Sequence, residues 1–159
     1  ETLSNQGQGM IYSMNFGNGG TSVDPTSIIT YLSPNSTGTN ASLYNQTYTK
    51  VIDDNSINNT DPTRNKIETR HVSGTNYTDI VATCLLDYGE PSGQDALDNA
   101  TSSSSLYVFD ELGLVSYATS GTGRLLTHVI FHPVQKSLNR LIQIDYTVRV
   151  QSLTGFNEA

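Results

Sequence analysis

The chain has 159 residues and a net charge of −7, with eight Lys and Arg against fifteen Asp and Glu; that length suits one domain with its own core. The acidic balance, with no two Lys or Arg adjacent, argues against nucleic-acid binding, the single cysteine excludes an intrachain disulfide, and no apolar stretch approaches the ~20 residues of a membrane helix. Hydrophobic residues make up only 35% and charged ones 14%, leaving a Ser-, Thr-, Asn- and Gly-rich remainder that favours short strands, turns and polar loops over helix.

Residues 1–26 read as an extended N-terminal arm. Leu3, Met10, Ile11, Tyr12, Met14, Phe16 and Val23 are its only sizeable apolar residues, and Gly17-Asn18-Gly19-Gly20 interrupts them. Such a segment offers little apolar area to offset its ordering entropy, so Ile11, Tyr12, Met14 and Phe16 become candidate partner-binding residues, ordered on a neighbouring subunit. From residue 27 to 159 the pattern is that of an all-β domain, an antiparallel β-sandwich of jelly-roll type. Ser27–Leu32 and Leu43–Ile52 are strand candidates rich in β-branched and aromatic residues, separated by a turn cluster at Pro34–Thr39. Asp53–Asn65, with Asp61-Pro62, is expected to be an exposed loop.

Lys66–Val72 alternates as a strand with one charged face. Thr78–Asp87 is apolar on both parities, as expected for a strand covered on both sides, with a buried helix as the competing reading. Cys84 lies in this run and is expected to act as a small buried hydrophobe. Tyr88–Ser105 is the longest loop; its length makes it a candidate contact region, with Tyr88 and Pro91 as candidate partner-binding residues. Leu106–Tyr117 is a strand interrupted at Gly113, Thr119–Gly123 a hairpin turn, and Arg124–His132 the returning strand, ended by Pro133 because proline cannot donate to a ladder. The strongest element is Arg140–Gln151. Ile142, Ile144, Tyr146, Val148 and Val150 fall on one parity, and Gln143, Asp145, Thr147 and Arg149 form a polar stripe on the other. That stripe is either solvated or a subunit contact.

No motif for chemistry emerges. His128 and His132 share a strand face but lie about 13 Å apart at the rise of a strand, too far for one metal with bonds of ~2 Å. Counted from Asp53, the sixth and twelfth positions of a calcium loop are Asn58 and Arg64 instead of Gly and Glu. No phosphate loop and no Gly-x-Ser-x-Gly elbow occurs, and Asp110 and Glu111 point to opposite faces if extended. Six Asn-x-Ser/Thr sites, at Asn35, Asn40, Asn45, Asn58, Asn76 and Asn99, read as compositional without an opening signal peptide. No catalytic residue, cofactor or metal ligand is assigned.

One stretch is similar to a known class. Phe109-Asp110-Glu111-Leu112-Gly113-Leu114 is followed by Gly123-Arg124-Leu125-Leu126-Thr127-His128-Val129-Ile130-Phe131, then Pro133-Val134-Gln135-Lys136-Ser137, then Ile142-Gln143-Ile144-Asp145-Tyr146-Thr147-Val148-Arg149-Val150. This order resembles β-domains of tailed-bacteriophage virion proteins of the decoration and tail-collar kinds, over roughly residues 106–151. Tyr146 stands where the collar version frequently has Trp, and no fibre repeat follows. The resemblance implies a non-enzymatic virion protein assembled in the host cytoplasm. Its first expectation is a head decoration (cement) protein on the major capsid protein, acting as a homo-oligomer such as a trimer, with no direct nucleic acid or membrane contact. The alternatives are a tail, collar or baseplate component, or a receptor- or glycan-binding module built on the nine tyrosines.

Overall fold

A computed structural model describes residues 10–35, 41–91, 107–119 and 123–153. Among the described residues nine strands are formed: β1 Ser13–Gly17, β2 Thr21–Val23, β3 Ile29–Tyr31, β4 Gln46–Val51, β5 Lys66–His71, β6 Tyr77–Leu86, β7 Tyr107–Val115, β8 Val129–Lys136 and β9 Ile142–Gln151. All pairings are antiparallel. One sheet runs β4-β1-β7-β8, a second β5-β6-β9, and β2-β3 is a separate two-stranded ribbon. The protein is an all-β, sandwich-like single domain.

The core lies between the two larger sheets. From the second sheet, Ile80, Ala82, Cys84 and Leu86 of β6 are buried, with Ile67 of β5 and Ile142, Ile144, Tyr146 and Val148 of β9 packed beside them. They meet Met14 and Phe16 of β1, Phe109, Leu112 and Leu114 of β7, and Phe131 and Val134 of β8. Phe109 is the aromatic hub, edge-on to Phe16 at 5.2 Å and to Phe131 at 5.7 Å. Burial pushes the Cys84 thiol up to about 12, as a small core hydrophobe requires. The alternation read in β9 is realised, and β6 is the middle strand of its sheet, as its apolar run implied.

The arm is the main correction. Residues 11–17 are not an appendage. β1 pairs with β4 on one side and β7 on the other, and all five of its residues are buried. Ile11 is 5% exposed, and Met14 and Phe16 are fully buried, so these three cannot serve as partner contacts. Short as it is, β1 offsets its ordering entropy because two ladders satisfy its backbone and two apolar side chains reach the core. The glycines that suggested looseness mark close approach instead. A Cβ at Gly17 would run into the Asn45 carbonyl oxygen and Glu111 Oε1. Residues 1–9 of the expected arm, and most of the 88–105 loop, lie outside the described residues.

Two expected strand breaks also differ. β7 runs straight through Gly113, where a Cβ would collide with the Thr127 carbonyl oxygen and Leu125 Cδ1; the glycine admits a crossing segment and does not end the strand. β8 starts after His128 and continues through Pro133 to Lys136. Phe109 pairs with Val134 and Glu111 with Ile130, so two steps along β7 match four along β8. Proline is tolerated there because β8 is an edge strand and Pro133 lies in this bulged stretch. The 53–65 loop is anchored from within and not simply exposed: Asp53, Asn59 and Asn65 are buried. Asn59 Nδ2 donates to the carbonyls of Asp53 and Asn65, and Leu85 N–H donates to Asn65 Oδ1 at 2.8 Å.

A central β1 predicts a large penalty for its loss. Phe16→Ala should destabilise the fold by about 3–5 kcal/mol in urea unfolding, and deleting residues 10–17 should abolish the cooperative transition. A detachable arm would leave both nearly unchanged.

Candidate functional site

The outer face of β5-β6-β9 is the broadest organised polar surface. Register sets its rows: Lys66, Thr83 and Asp145 lie side by side, then Glu68, Val81 and Thr147, then Arg70, Asp79 and Arg149. Because alternate residues share a face, the stripe predicted on β9 is extended across three strands. With Thr63, Arg64 and Gln143, these residues other than Asp79 and Arg149 line an open hollow of about 530 Å³. Glu68 receives Lys66 at 3.0 Å and Arg70 at 3.1 Å. Hydrogen bonds from Lys66, then from Arg70, hold its carboxyl below the usual range. Arg149 Nε and Nη2 donate to the two oxygens of Asp79 at 2.8 and 3.0 Å, and its guanidinium lies 3.8 Å from the Tyr77 ring centroid. This bidentate bond lowers the pKa of Asp79 and raises that of Arg149.

Four of the eight cations of the chain, Arg64, Lys66, Arg70 and Arg149, stand on or beside this face, interleaved with Asp61, Glu68, Asp79 and Asp145. The face is therefore charge-patterned and locally balanced on an acidic protein. Surface pairs of this kind add little stability; alternating charge mainly supplies orientation and specificity toward a partner.

The opposite sheet carries a buried polar clamp. Asp110 is 3% exposed and Glu111 fully buried. Asp110 accepts from the N–H groups of Gly20 and Thr21 at 2.9 and 3.0 Å and from the Thr21 hydroxyl. Glu111 accepts from the N–H groups of Asn45 at 2.8 Å, Tyr44 at 3.0 Å and Gly19 at 3.2 Å, and from His128 Nε2 at 2.7 Å. His128 Nδ1 in turn accepts from Asn35 N–H at 2.7 Å. A backbone N–H can only donate, so Nε2 carries the proton that goes to Glu111. Burial alone would push the Glu111 carboxyl up. The bonds from Asn45, Tyr44, His128 and Gly19 outweigh it, and the pKa lies below the ordinary 4.5. All of these groups are used in joining chain segments, and this arrangement is structural.

The remaining predicted contacts divide. Tyr12 is half-buried, edge-on to Tyr117 at 5.2 Å, and its hydroxyl accepts from Asn58 Nδ2 at 3.0 Å. Tyr88 is 52% exposed and Pro91 half-buried. That turn is fastened by Lys136, which is fully buried and donates to the carbonyls of Ser137 at 3.0 Å and Tyr88 at 3.4 Å. Burial pushes the Lys136 ammonium below its usual value. Nearby, Lys50 Nζ grips both oxygens of Glu90 at 2.5 and 2.6 Å. Only Gln143, Asp145, Thr147 and Arg149 of the predicted contacts share one surface. The sequence reading missed Lys66, Glu68, Arg70 and Asp79 as their neighbours; the charged face of Lys66–Val72 was the available signal. It also missed the clamp, whose signal was a carboxylate pair set inside an apolar strand.

His128 and His132 serve different partners, since His132 Nδ1 lies 3.4 Å from the Tyr31 hydroxyl. Among the described residues no three metal-ligating side chains converge. Comparison with family models, curated proteins and solved structures gives no match.

Glu111 links stability to pH. Its folded pKa is depressed, so its contribution is complete above the unfolded value near 4.5 and is lost as pH falls through the lower folded value. Glu111→Gln places an amide where backbone N–H donors converge and should cost roughly 1–3 kcal/mol at neutral pH. Urea unfolding from pH 7 to 3 should show the variant approaching wild type at the acid end.

Proposed function

We propose that this protein is a non-enzymatic structural component of a tailed-bacteriophage virion, a head decoration (cement) protein that docks on the major capsid lattice. The observation that carries the docking part is the charge-patterned face of β5-β6-β9. Most of its charged side chains are held by mutual ion pairs on a hydrogen-bonded sheet, which favours rigid-body recognition of a protein surface over chemistry on a small molecule. The buried acid and base groups support the same reading, since Asp110, Glu111 and His128 are spent on joining chain segments. The virion part rests on the resemblance of residues 106–151 to phage β-domains. A glycan-binding role is less favoured, because the residues lining the hollow, Thr, Gln, Val81 and charged side chains, include no aromatic ring.

Cosedimentation of the purified protein with expanded heads and with isolated tails tests this. Saturable binding to heads is expected, and Lys66→Glu with Arg70→Glu should weaken it by on the order of tenfold or more. Binding to tails alone would instead place the protein in the tail or collar, and binding to neither would remove the virion reading.

A further inference from the structure

The edges of the two larger sheets are not alike. β8 is interrupted by a bulge and Pro133, both devices that keep an edge from pairing. β5 presents Lys66, Glu68 and Arg70. β4 faces a register shift at its Gln46 end and carries Lys50. β9 also carries two charged residues, Asp145 and Arg149, but neither a bulge nor a proline. It pairs with β6 without a shift over ten residues, from Ile142 to Gln151, contains no proline, and among the described residues no strand lies on its other side.

Its apolar parity is also incompletely covered. The matching face of β6 is buried at Ile80, Ala82, Cys84 and Leu86, whereas on β9 Ile142, Ile144, Tyr146 and Val148 are half-buried and Val150 is 56% exposed. A row of five apolar residues is thus left open on its outer flank.

The strand is self-complementary in a two-fold register that also pairs its two charged residues with each other. If Thr147 pairs with Thr147 of a second copy, Asp145 faces Arg149, Ile144 faces Val150, Tyr146 faces Val148, and Gln143 faces Gln151. Ile144, Tyr146, Val148 and Val150 then meet one another, with Ile142 opposite Ser152, and Asp145–Arg149 pairs of opposite charge flank the axis on both sides. Centring the axis on Asp145 or Arg149 would set like charges face to face. The groups are available: Asp145 meets no cation among the described residues, only Gln143 Nε2 at 3.3 Å. Arg149 uses Nε and Nη2 on Asp79, leaving Nη1 for a second acceptor.

We propose that β9 is a homodimerisation edge, joining two copies about Thr147 into a continuous six-stranded antiparallel sheet. This is independent of the virion reading. The charge-patterned faces of the two copies would become one surface, doubling its breadth without burying Lys66, Glu68 or Arg70 on the far strands.

Sedimentation equilibrium on the full chain, with thiol oxidation of single-cysteine variants, tests it. Cys84, the only native cysteine, is buried and should not compete. A monomer–dimer equilibrium is expected, weakened on the order of tenfold or more by Asp145→Arg through like-charge contacts on both sides of the axis; unchanged thermal unfolding would confirm that this exposed variant folds. Thr147→Cys, on the proposed axis, should give a disulfide-linked dimer, whereas Thr69→Cys on the opposite edge should not. A monomer at every concentration would overturn the proposal. So would a dimer indifferent to Asp145→Arg, or one trapped as readily from position 69 as from 147.

Discussion

The structure depends on two carboxylates set in the interior. Asp110 and Glu111 are adjacent on β7, yet together they receive backbone N–H groups from Gly19, Gly20, Thr21, Tyr44 and Asn45, and Glu111 also receives His128. Five backbone donors outside any ladder would be costly to bury unpaired. The carboxylates answer this, and in doing so they fix the turn after β1, the approach to β4 and the segment before β8. A buried charge is normally destabilising; here the convergent donors replace the lost water. The depressed pKa of Glu111 reflects that balance.

With that clamp in place, a five-residue strand can occupy the middle of a sheet. β1 has no length to spare, but its neighbours arrive from residues 46–51 and 107–115, both tied to the same carboxylate region. The ladders come from distant parts of the chain, so the core contribution of β1 rests on long-range pairing. Gly17 and Gly113 allow the close approaches this needs, since a side chain at either would strike backbone oxygen.

The two large sheets divide the work. The β4-β1-β7-β8 sheet is covered on much of its outer side by the segments at 41–45 and 123–128, where Leu43, Val115 and Leu125 make a second small cluster. The β5-β6-β9 sheet leaves its outer side open and charge-patterned. One layer is therefore internal architecture and the other is surface available for contact. The proposed docking role and the proposed β9 seam both use this second sheet, one through its face and the other through its edge.

The primary sequence by itself determined the elements whose pattern is local. The alternation from Ile142 to Val150, the apolar run of β6 and the charged parity of β5 are consequences of a two-residue period, and each became a strand. It also carried the polar stripe of Gln143, Asp145, Thr147 and Arg149, because parity decides which side chains share a face. What only the tertiary structure decided were the long-range partnerships. Nothing local distinguishes residues 11–17 from a loose arm, since its stability comes from strands about thirty and a hundred residues away in the register recorded for Phe16 with Tyr48 and Leu112. Pro133 and Gly113 read as strand breaks until an edge position and a crossing segment explained them. Asp110 and Glu111 read as sequence neighbours on opposite faces of an extended strand. Their burial depends on donors from three separate segments, around residues 19–21, 44–45 and 128, a convergence in space that no spacing along the chain encodes.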